Sequence, residues 1–312
     1  MIDSNLESND WRLMVELMED LKQGFEAFSP YQHIRKITFF GSARIPKDSQ
    51  DYQTAINLAH RMTQQGFMVI TGGAGGIMQA AQIGAGKEQS FGLHIRLPYE
   101  EVANPFIEDN RKQPNFKYFL ARKLFFFRES SAVVIFPGGM GTLDEATECL
   151  ALYLTGRFGP APLIFMETSQ GNYWRDWEAF MVKHLIPKNF INKDFSSLYT
   201  ITDSVEVASN AIASFYHVFH SSYYEGENLI LRLNTELSDQ TITQLNTEFK
   251  DILVQGQIEQ FQGSSSQSQD EISVLPHLLV PFNQKNFGRL HQLIRTINNE
   301  ISIHKTKLYS TV

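Results

Sequence analysis

The stretch AVVIFPGGMGTLDEATECLALYL, residues 132–154, decides the fold. It begins with an unbroken apolar run, passes through three glycines and ends in a segment whose apolar residues recur every three or four positions. An apolar run that stops at a glycine turn is typical of a buried strand, and the later spacing is typical of a helix. We therefore predict a strand at Ala132–Phe136 and a helix at Thr142–Leu154.

The same succession of strand, turn and helix recurs on both sides of this stretch. We predict further strands at Ile37–Phe40, Phe67–Thr71, Phe91–Leu97 and Leu163–Met166, and further helices at Tyr52–Gln65, Ile77–Gly86, Phe116–Ser130, Trp174–His184 and Ser204–Phe219. Such alternation is typical of a doubly wound α/β domain with a parallel sheet covered on both faces. Ligands bind beyond the carboxyl ends of such strands, so we expect the turns at 41–44, 72–76 and 137–142 on one rim.

Three regions are predicted from changes in sequence pattern. A helix at residues 5–28 defines an N-terminal helical extension, residues 1–35, which precedes the α/β domain at 36–222. Residues 225–312 are predicted to form a small α+β appendage. Its expected elements are strands at Asn228–Leu233 and Pro276–Phe282 and helices at Asp239–Leu253 and Asn286–Asn298.

Two polar segments are predicted to be loops. The sequence GSSSQSQDE at 263–271 is of low complexity and is predicted to be a mobile linker. Residues 98–115 form a long, proline-containing polar stretch, and loops of that length are often lids over a site.

Composition excludes several functional classes. The formal net charge of −7 over 312 residues argues against nucleic acid or an anionic membrane as the main partner, since both favour a basic surface. A single cysteine, Cys149, allows no intramolecular disulfide and is predicted to be a small buried hydrophobic residue. The first residues lack the basic start and apolar run of a secretory signal, and no stretch approaches 18 consecutive apolar residues. We therefore expect a cytoplasmic protein.

The strongest chemical signal is the segment PGGMGTLDE, residues 137–145. Its glycines let the backbone approach a ligand closely, and the helix that follows presents unpaired N–H groups and a partial positive charge. This combination predicts a phosphate-binding cradle, with a hydroxyl from Thr142. The alternative is a capping box, in which Thr142 and Glu145 only satisfy the backbone at the helix start.

Another glycine cluster, TGGAGG at 71–76, follows the strand predicted at Phe67–Thr71. It either admits a sugar or base against bare backbone or is only a tight connection between strand and helix. Neither cluster has the G-x-G-x-x-G spacing of dinucleotide-binding proteins, and neither is followed by the Lys-Ser/Thr of a P-loop. Dinucleotide-dependent oxidoreductases and nucleoside triphosphatases are therefore disfavoured.

Arg122 and Lys123 lie on the predicted aromatic helix that leads into the strand before the cradle. Solvated helix charge is the ordinary interpretation of such a pair, but an arginine at this place can reach the rim. The nine histidines are scattered, and His217 and His220 on a predicted helix lack nearby acidic partners, so we predict no metal site.

The motifs together resemble the LOG family, the cytokinin riboside 5′-monophosphate phosphoribohydrolases formerly described as lysine decarboxylases. The resemblance covers residues 36–185. It rests on FGSAR at 40–44, TGGAGGIM at 71–78, Arg122-Lys123, and PGGMGTLDE at 137–145. The segments LHIRLP at 93–98 and NPF at 104–106 are similar to the longer bacterial branch of that family.

The resemblance implies a Rossmann-like fold, a homodimer and a nucleoside 5′-monophosphate substrate, such as AMP or an N6-modified AMP. It implies hydrolysis of the N-glycosidic bond to give free base and ribose 5-phosphate, with no cofactor. Arg122 and Glu145 correspond to the family's catalytic pair. Phosphate or nucleotide binding is implied for the remaining motif residues, which are Gly41, Ser42, Gly72, Gly73, Lys123, Gly138, Gly139, Gly141 and Thr142.

The implied roles are chemically consistent. Cleavage of a ribosyl N–C bond passes through an oxocarbenium-like sugar, and the Glu145 carboxylate can stabilise that charge and align water. Arg122 is expected to orient Glu145, to bind ribose hydroxyls and to keep the carboxyl ionised. The alternative function is a non-enzymatic carrier or sensor of a nucleotide or pterin phosphate, because the same fold can serve binding alone.

Overall fold

The computed structural model describes residues 7–96, 110–168, 171–263 and 274–309. The predicted linker at 263–271, after its first residue, and residues 98–109 of the predicted lid lie outside these ranges. The chain divides into two compact units, which we describe separately. Unit 1 contains residues 1–149, 163–175 and 201–209, and unit 2 contains residues 150–162, 176–200 and 210–312.

A six-stranded parallel sheet forms the centre of unit 1, as the sequence predicts for an α/β protein. Its strands are β1 (Lys36–Phe40), β2 (Met68–Thr71), β3 (Ser90–Gly92), β6 (Ala132–Ile135), β7 (Leu163–Met166) and β8 (Thr200–Thr202). The strand order is β3-β2-β1-β6-β7-β8. Every residue of β1, β2, β6 and β7 is buried, because apolar side chains point from both faces of each strand toward the flanking helices.

Seven helices belong to the α/β part of the described chain. They are α1 (Ser8–Phe28), α2 (Gln50–Gln64), α3 (Ile77–Ala85), α4 (Phe119–Arg128), α5 (Met140–Leu154), α6 (Tyr173–His184) and α7 (Val205–Phe215). The strand order reverses direction between β1 and β6. The crevice beyond their carboxyl ends is where Rossmann-like folds bind ligands.

The strand predicted at Phe91–Leu97 is wrong as one element. The chain leaves the main sheet after β3, and β4 (His94–Ile95) pairs instead with β5 (Asn115–Phe116). The Leu93 N–H still donates to a carbonyl of β2, whereas the His94 N–H donates to the Pro114 carbonyl. The apolar run therefore serves two sheets, which its sequence pattern cannot distinguish.

Helix α1 fixes the start of α4. The buried Asp20 carboxylate accepts hydrogen bonds from the N–H groups of Lys117 and Tyr118, at 2.8 to 3.0 Å. The Phe125 ring packs against Gly24, where any side chain would clash. The predicted helix at Phe116–Ser130 consequently begins only at Phe119, because the two preceding amides are held by α1 rather than by a helical turn.

Unit 2 contains a four-stranded antiparallel sheet in the order β11-β12-β10-β9. Its strands are β9 (Phe219–Glu225), β10 (Asn228–Leu233), β11 (Glu259–Gln262) and β12 (Pro276–Val280), and its helices are α8 (Asp239–Glu248) and α9 (Phe287–Tyr309). The predicted helix at Ser204–Phe219 ends at Phe215. The Asn298 side chain donates to the Phe215 carbonyl and accepts from the Val218 and Phe219 N–H groups, which starts β9 instead.

Among the described residues, no helix combines the length and the apolar character required to cross a membrane.

Candidate functional site

A pocket of about 530 Å³ lies beyond the carboxyl ends of β1 and β6. Eight residues predicted for the site line it: Gly41, Ser42, Gly72, Arg122, Gly139, Gly141, Thr142 and Glu145. The pocket thus brings residues from four separate motifs to one place. Its volume lies within the range of small-molecule sites.

The second glycine turn, residues 137–142, forms the floor of a cradle at the start of α5. The helix begins at Met140, so its first-turn amides have no acceptor within the helix and can bind an anion. A side chain added at Gly139 or Gly141 would meet open space, because both glycines face the pocket. The cradle therefore has room for a phosphate group.

The capping-box alternative does not hold, because α5 begins earlier than the sequence predicts. Thr142 would have to precede the helix to act as its cap, but it lies in the first turn, and the Leu143 N–H already donates to the Gly139 carbonyl. The side chains of Thr142 and Glu145 are thus available to the pocket that they line.

Protein atoms fill the space beside the first glycine turn, residues 72–76. The Arg122 guanidinium donates to the Gly72 carbonyl at 3.1 Å and to the Leu93 carbonyl at 2.8 Å. Gly76 has a φ of 59°, and a side chain there would overlap the Ser42 carbonyl. The His94 ring packs on Gly73 in the same way, and Gly73 does not line the pocket.

Arg122 is held at the pocket wall by these two carbonyls and by the Phe126 ring, which lies 5.1 Å from the guanidinium carbon. Backbone carbonyls at the ends of two parallel strands keep the cation in place without neutralising its charge. The guanidinium at the pocket wall places a positive charge beside the space that a ligand would occupy.

Burial, with a smaller contribution from the neighbouring Asp144 carboxylate, raises the pKa of Glu145 to about 7. The positive charges of Lys123 and Arg122 oppose this rise, but burial is the larger influence. Arg122 thus favours the ionised carboxylate, as expected, but does not offset the effect of burial. Near neutral pH, the group can both accept and donate a proton.

Lys123 points to α5 instead of to the pocket. Its ammonium lies 2.8 Å from an Asp144 oxygen and 2.7 Å from a Glu148 oxygen, and Lys123 is absent from the pocket lining.

Gly138, another residue predicted for the site, is also absent from the lining. A side chain there would overlap Thr142, so this glycine allows the turn to pack tightly.

Eight lining residues were missed by sequence reasoning: Phe40, Ala43, Arg44, Met78, Phe119, Phe126, Met140 and Asp144. Arg44 ends the FGSAR motif, so its position was a usable signal. Phe119 and Met140 are exposed apolar side chains at the pocket. Nothing in their local pattern separates them from ordinary helix residues. Within the described ranges, no group of three or more His, Cys, Asp or Glu side chains could hold a metal ion.

Fold and pocket together define a Rossmann-like α/β protein with a glycine-lined pocket at the reversal of strand order. Residues 74–212 match the family model described as "Possible lysine decarboxylase". The matched region contains Arg122 and Glu145, and the match confirms the resemblance predicted from the motifs. Over residues 74–212 the chain is thus similar to this family.

Individual relatives are distant. An uncharacterized protein of Archaeoglobus fulgidus is 28% identical over 98 residues, which cover 31% of this chain and 63% of that protein, less than two thirds of its length. The molybdenum cofactor binding protein of Rippkaea orientalis is 21% identical with a TM-score of 0.40. The molybdenum cofactor carrier protein of Chlamydomonas reinhardtii is 18% identical with a TM-score of 0.41. Each structural match covers 58% of this chain and 96% of the other.

Proposed function

We propose that this protein hydrolyses the N-glycosidic bond of a nucleoside 5′-monophosphate, such as AMP or an N6-modified AMP, to free base and ribose 5-phosphate. The observation that carries the proposal is the convergence of Arg122, Glu145 and the cradle on one pocket. A phosphate-binding helix start, a fixed cation and a carboxyl with a raised pKa are the groups that this reaction requires.

The phosphate would bind the first-turn amides of α5 and the Thr142 hydroxyl. Its binding energy fixes the ribose in both the substrate complex and the transition state, so this remote contact raises kcat/KM. Arg122 would contact ribose hydroxyls from the opposite wall. Gly41, Ser42 and Gly72 complete the wall of the pocket.

Glu145 would act on the sugar and on water. As the bond between C1′ and the base nitrogen breaks, its electron pair leaves with the base, and the ionised Glu145 stabilises the positive sugar. Water then forms the new bond to C1′ and loses a proton. The proton passes to Glu145 or solvent, and the base nitrogen takes up one proton overall. No cofactor takes part in this proposal.

The test is incubation of the pure protein with AMP, isopentenyladenosine monophosphate and a panel of other monophosphates. Chromatography should detect free base, and the sugar product should be ribose 5-phosphate. Lack of base from every monophosphate at high protein concentration would contradict the hydrolase. Tight binding without turnover would instead favour a nucleotide- or pterin-phosphate carrier or sensor.

We also propose that the protein is a cytoplasmic homodimer. Apolar side chains are exposed along α1 at Trp11, Met14, Met18 and Phe25, and Leu120 is exposed on α4. An apolar stripe of this kind marks a surface for association, and a second copy of the chain would supply a matching one. Sedimentation equilibrium should give twice the chain mass, and a monomer at micromolar concentration would contradict this part of the proposal.

A further inference from the structure

The second glycine turn is anchored by a residue that follows it by more than thirty positions. The Tyr173 hydroxyl donates a hydrogen bond to the Gly138 carbonyl at 2.7 Å. Burial raises the pKa of Tyr173, so its hydroxyl keeps its proton and remains a donor at neutral pH. The residue does not line the pocket. Tyr173 therefore contacts the turn from outside the pocket.

Tyr173 is itself fixed to the sheet. It is the first residue of α6, and the buried Glu167 carboxylate, directly after β7, accepts from the N–H groups of Tyr173 at 3.0 Å and Trp174 at 2.7 Å. The fully buried Trp174 packs its ring 4.4 Å from that of Phe165 on β7. A hydroxyl placed by a capped helix start and a buried aromatic pair has little freedom to move.

The geometry of the peptide bond links this hydroxyl to the pocket. The Gly138 carbonyl and the Gly139 N–H belong to one planar trans peptide unit and point in opposite directions. Fixing the carbonyl toward Tyr173 therefore fixes the N–H on the other side, where Gly139 lines the pocket. The preceding Pro137 carbonyl is also engaged, since it accepts from the Ser42 N–H at 3.2 Å.

We propose that Tyr173 is a positioning residue that sets the phosphate-binding orientation of the second glycine turn through the Gly138 carbonyl. The proposal rests on the proposed function for its kinetic consequences, but its binding consequence stands alone. Without the hydroxyl, the Gly138–Gly139 peptide unit can rotate, and the amide would spend part of its time turned away from the bound anion.

The test is titration calorimetry of Tyr173→Phe with inorganic phosphate and with ribose 5-phosphate. We expect both dissociation constants to rise about five- to tenfold, the size typical of one lost hydrogen bond. Tyr52→Phe is the matched control, because Tyr52 is buried, donates its hydroxyl to Gln79 and lines no part of the pocket. It should change neither constant by more than about twofold.

A second variant, Glu167→Gln, keeps the shape of the cap and removes its charge. It should weaken phosphate binding in the same direction, so that the proposal remains testable if Tyr173→Phe folds poorly. In turnover of the preferred monophosphate, Tyr173→Phe should raise KM with kcat within about twofold, because the lost contact acts equally on ground and transition states.

Unchanged phosphate binding in a folded Tyr173→Phe, even with a lower Tm, would overturn the proposal and leave the tyrosine a purely structural role. Failure of the wild-type protein to bind phosphate would also overturn it. Weaker phosphate binding in the variants, with no hydrolysis of any monophosphate by the wild type, would support the positioning role while contradicting the hydrolase.

Discussion

The two glycine turns of unit 1 have similar sequences and opposite environments. The first turn, residues 72–76, is filled by its own protein: Arg122 bonds the Gly72 carbonyl, His94 covers Gly73, and the Ser42 carbonyl crowds Gly76. The second turn, residues 137–142, leaves open space at Gly139 and Gly141. Glycine in the first turn allows protein to pack, and glycine in the second leaves room for a ligand.

The comparison also separates the two charged groups. The first turn helps to hold the cation, since the Arg122 guanidinium donates to the Gly72 carbonyl directly after β2. The second turn leads directly into the helix that carries Glu145. A pocket built from one packed turn and one open turn should therefore respond differently to substitutions in each.

The largest effect is expected on the open side, from Glu145→Gln. Loss of the carboxylate should lower kcat by about 10² to 10⁴, the usual contribution of a positioned acid or base. Phosphate binding, measured by calorimetry, should persist because the cradle is intact. A variant that retains more than a tenth of wild-type turnover would remove Glu145 from the mechanism.

The glycines themselves give the most direct contrast. Gly76→Ala should destabilise the protein by about 2–4 kcal/mol, because its positive φ and the nearby Ser42 carbonyl exclude a side chain. Gly139→Ala should leave the free energy of unfolding within about 0.5 kcal/mol and weaken phosphate binding about tenfold. Denaturant unfolding and calorimetry check the pair. Equal losses of unfolding free energy in Gly76→Ala and Gly139→Ala would contradict the difference between the two turns.

Arg122→Lys tests the packed side. Lysine keeps the charge but cannot donate to the Gly72 and Leu93 carbonyls in the same geometry. We expect kcat/KM to fall about 10- to 100-fold and the free energy of unfolding to fall by about 1–2 kcal/mol. Lys22→Met, which breaks an exposed ion pair on α1, is the control and should change neither quantity appreciably.

The raised pKa of Glu145 also predicts how stability depends on pH. The folded pKa of about 7 exceeds the unfolded value of 4.5, so the folded state binds the extra proton and loses stability as pH rises between those values. Glu145→Gln should remove this loss and be more stable than wild type at pH 8, by about 1–2 kcal/mol. Urea unfolding at pH 5 and pH 8 measures the free energy of unfolding of both proteins. An equal fall in the Glu145→Gln variant would contradict the assignment of this pH dependence to Glu145.

The smallest effect is expected from Lys123→Met. The Lys123 ammonium lowers the pKa of Glu145, so its removal should move the rise of kcat/KM with pH from near 7 to higher pH, by about half a pH unit. Lys22→Met again serves as the control. A shift to lower pH, or none, would show that Lys123 does not act on Glu145.

Local sequence pattern was sufficient to locate the inner strands of the sheet, but not to define the elements at its edges. Unbroken apolar runs located β1, β2, β6 and β7, and the parallel α/β fold is confirmed. The end of β3 depends on pairing with residues more than twenty positions away, and the end of α7 depends on Asn298. The periodicity of a segment does not show which distant residues it contacts. The predicted division at residues 35 and 222–225 stays a prediction.

For the site, the motifs identified which residues meet but not their states. Glycine spacing and the helix start predicted the cradle. The carbonyl contacts of Arg122, the pKa of Glu145 and the ion pairs of Lys123 all depend on burial and side-chain direction. Tyr173 gave no signal, because its hydroxyl meets the turn only after the chain has completed β7. The catalytic and binding roles remain proposals.

The cap that Asp20 provides for α4 has a practical consequence. The family match begins at residue 74, yet the helix that presents Arg122 starts on two amides held by a carboxylate from α1. A protein without α1 would leave those amides to water and allow the first turn of α4 to fray. Anyone who shortens this chain for engineering should therefore keep the leading helix as part of the guanidinium's support.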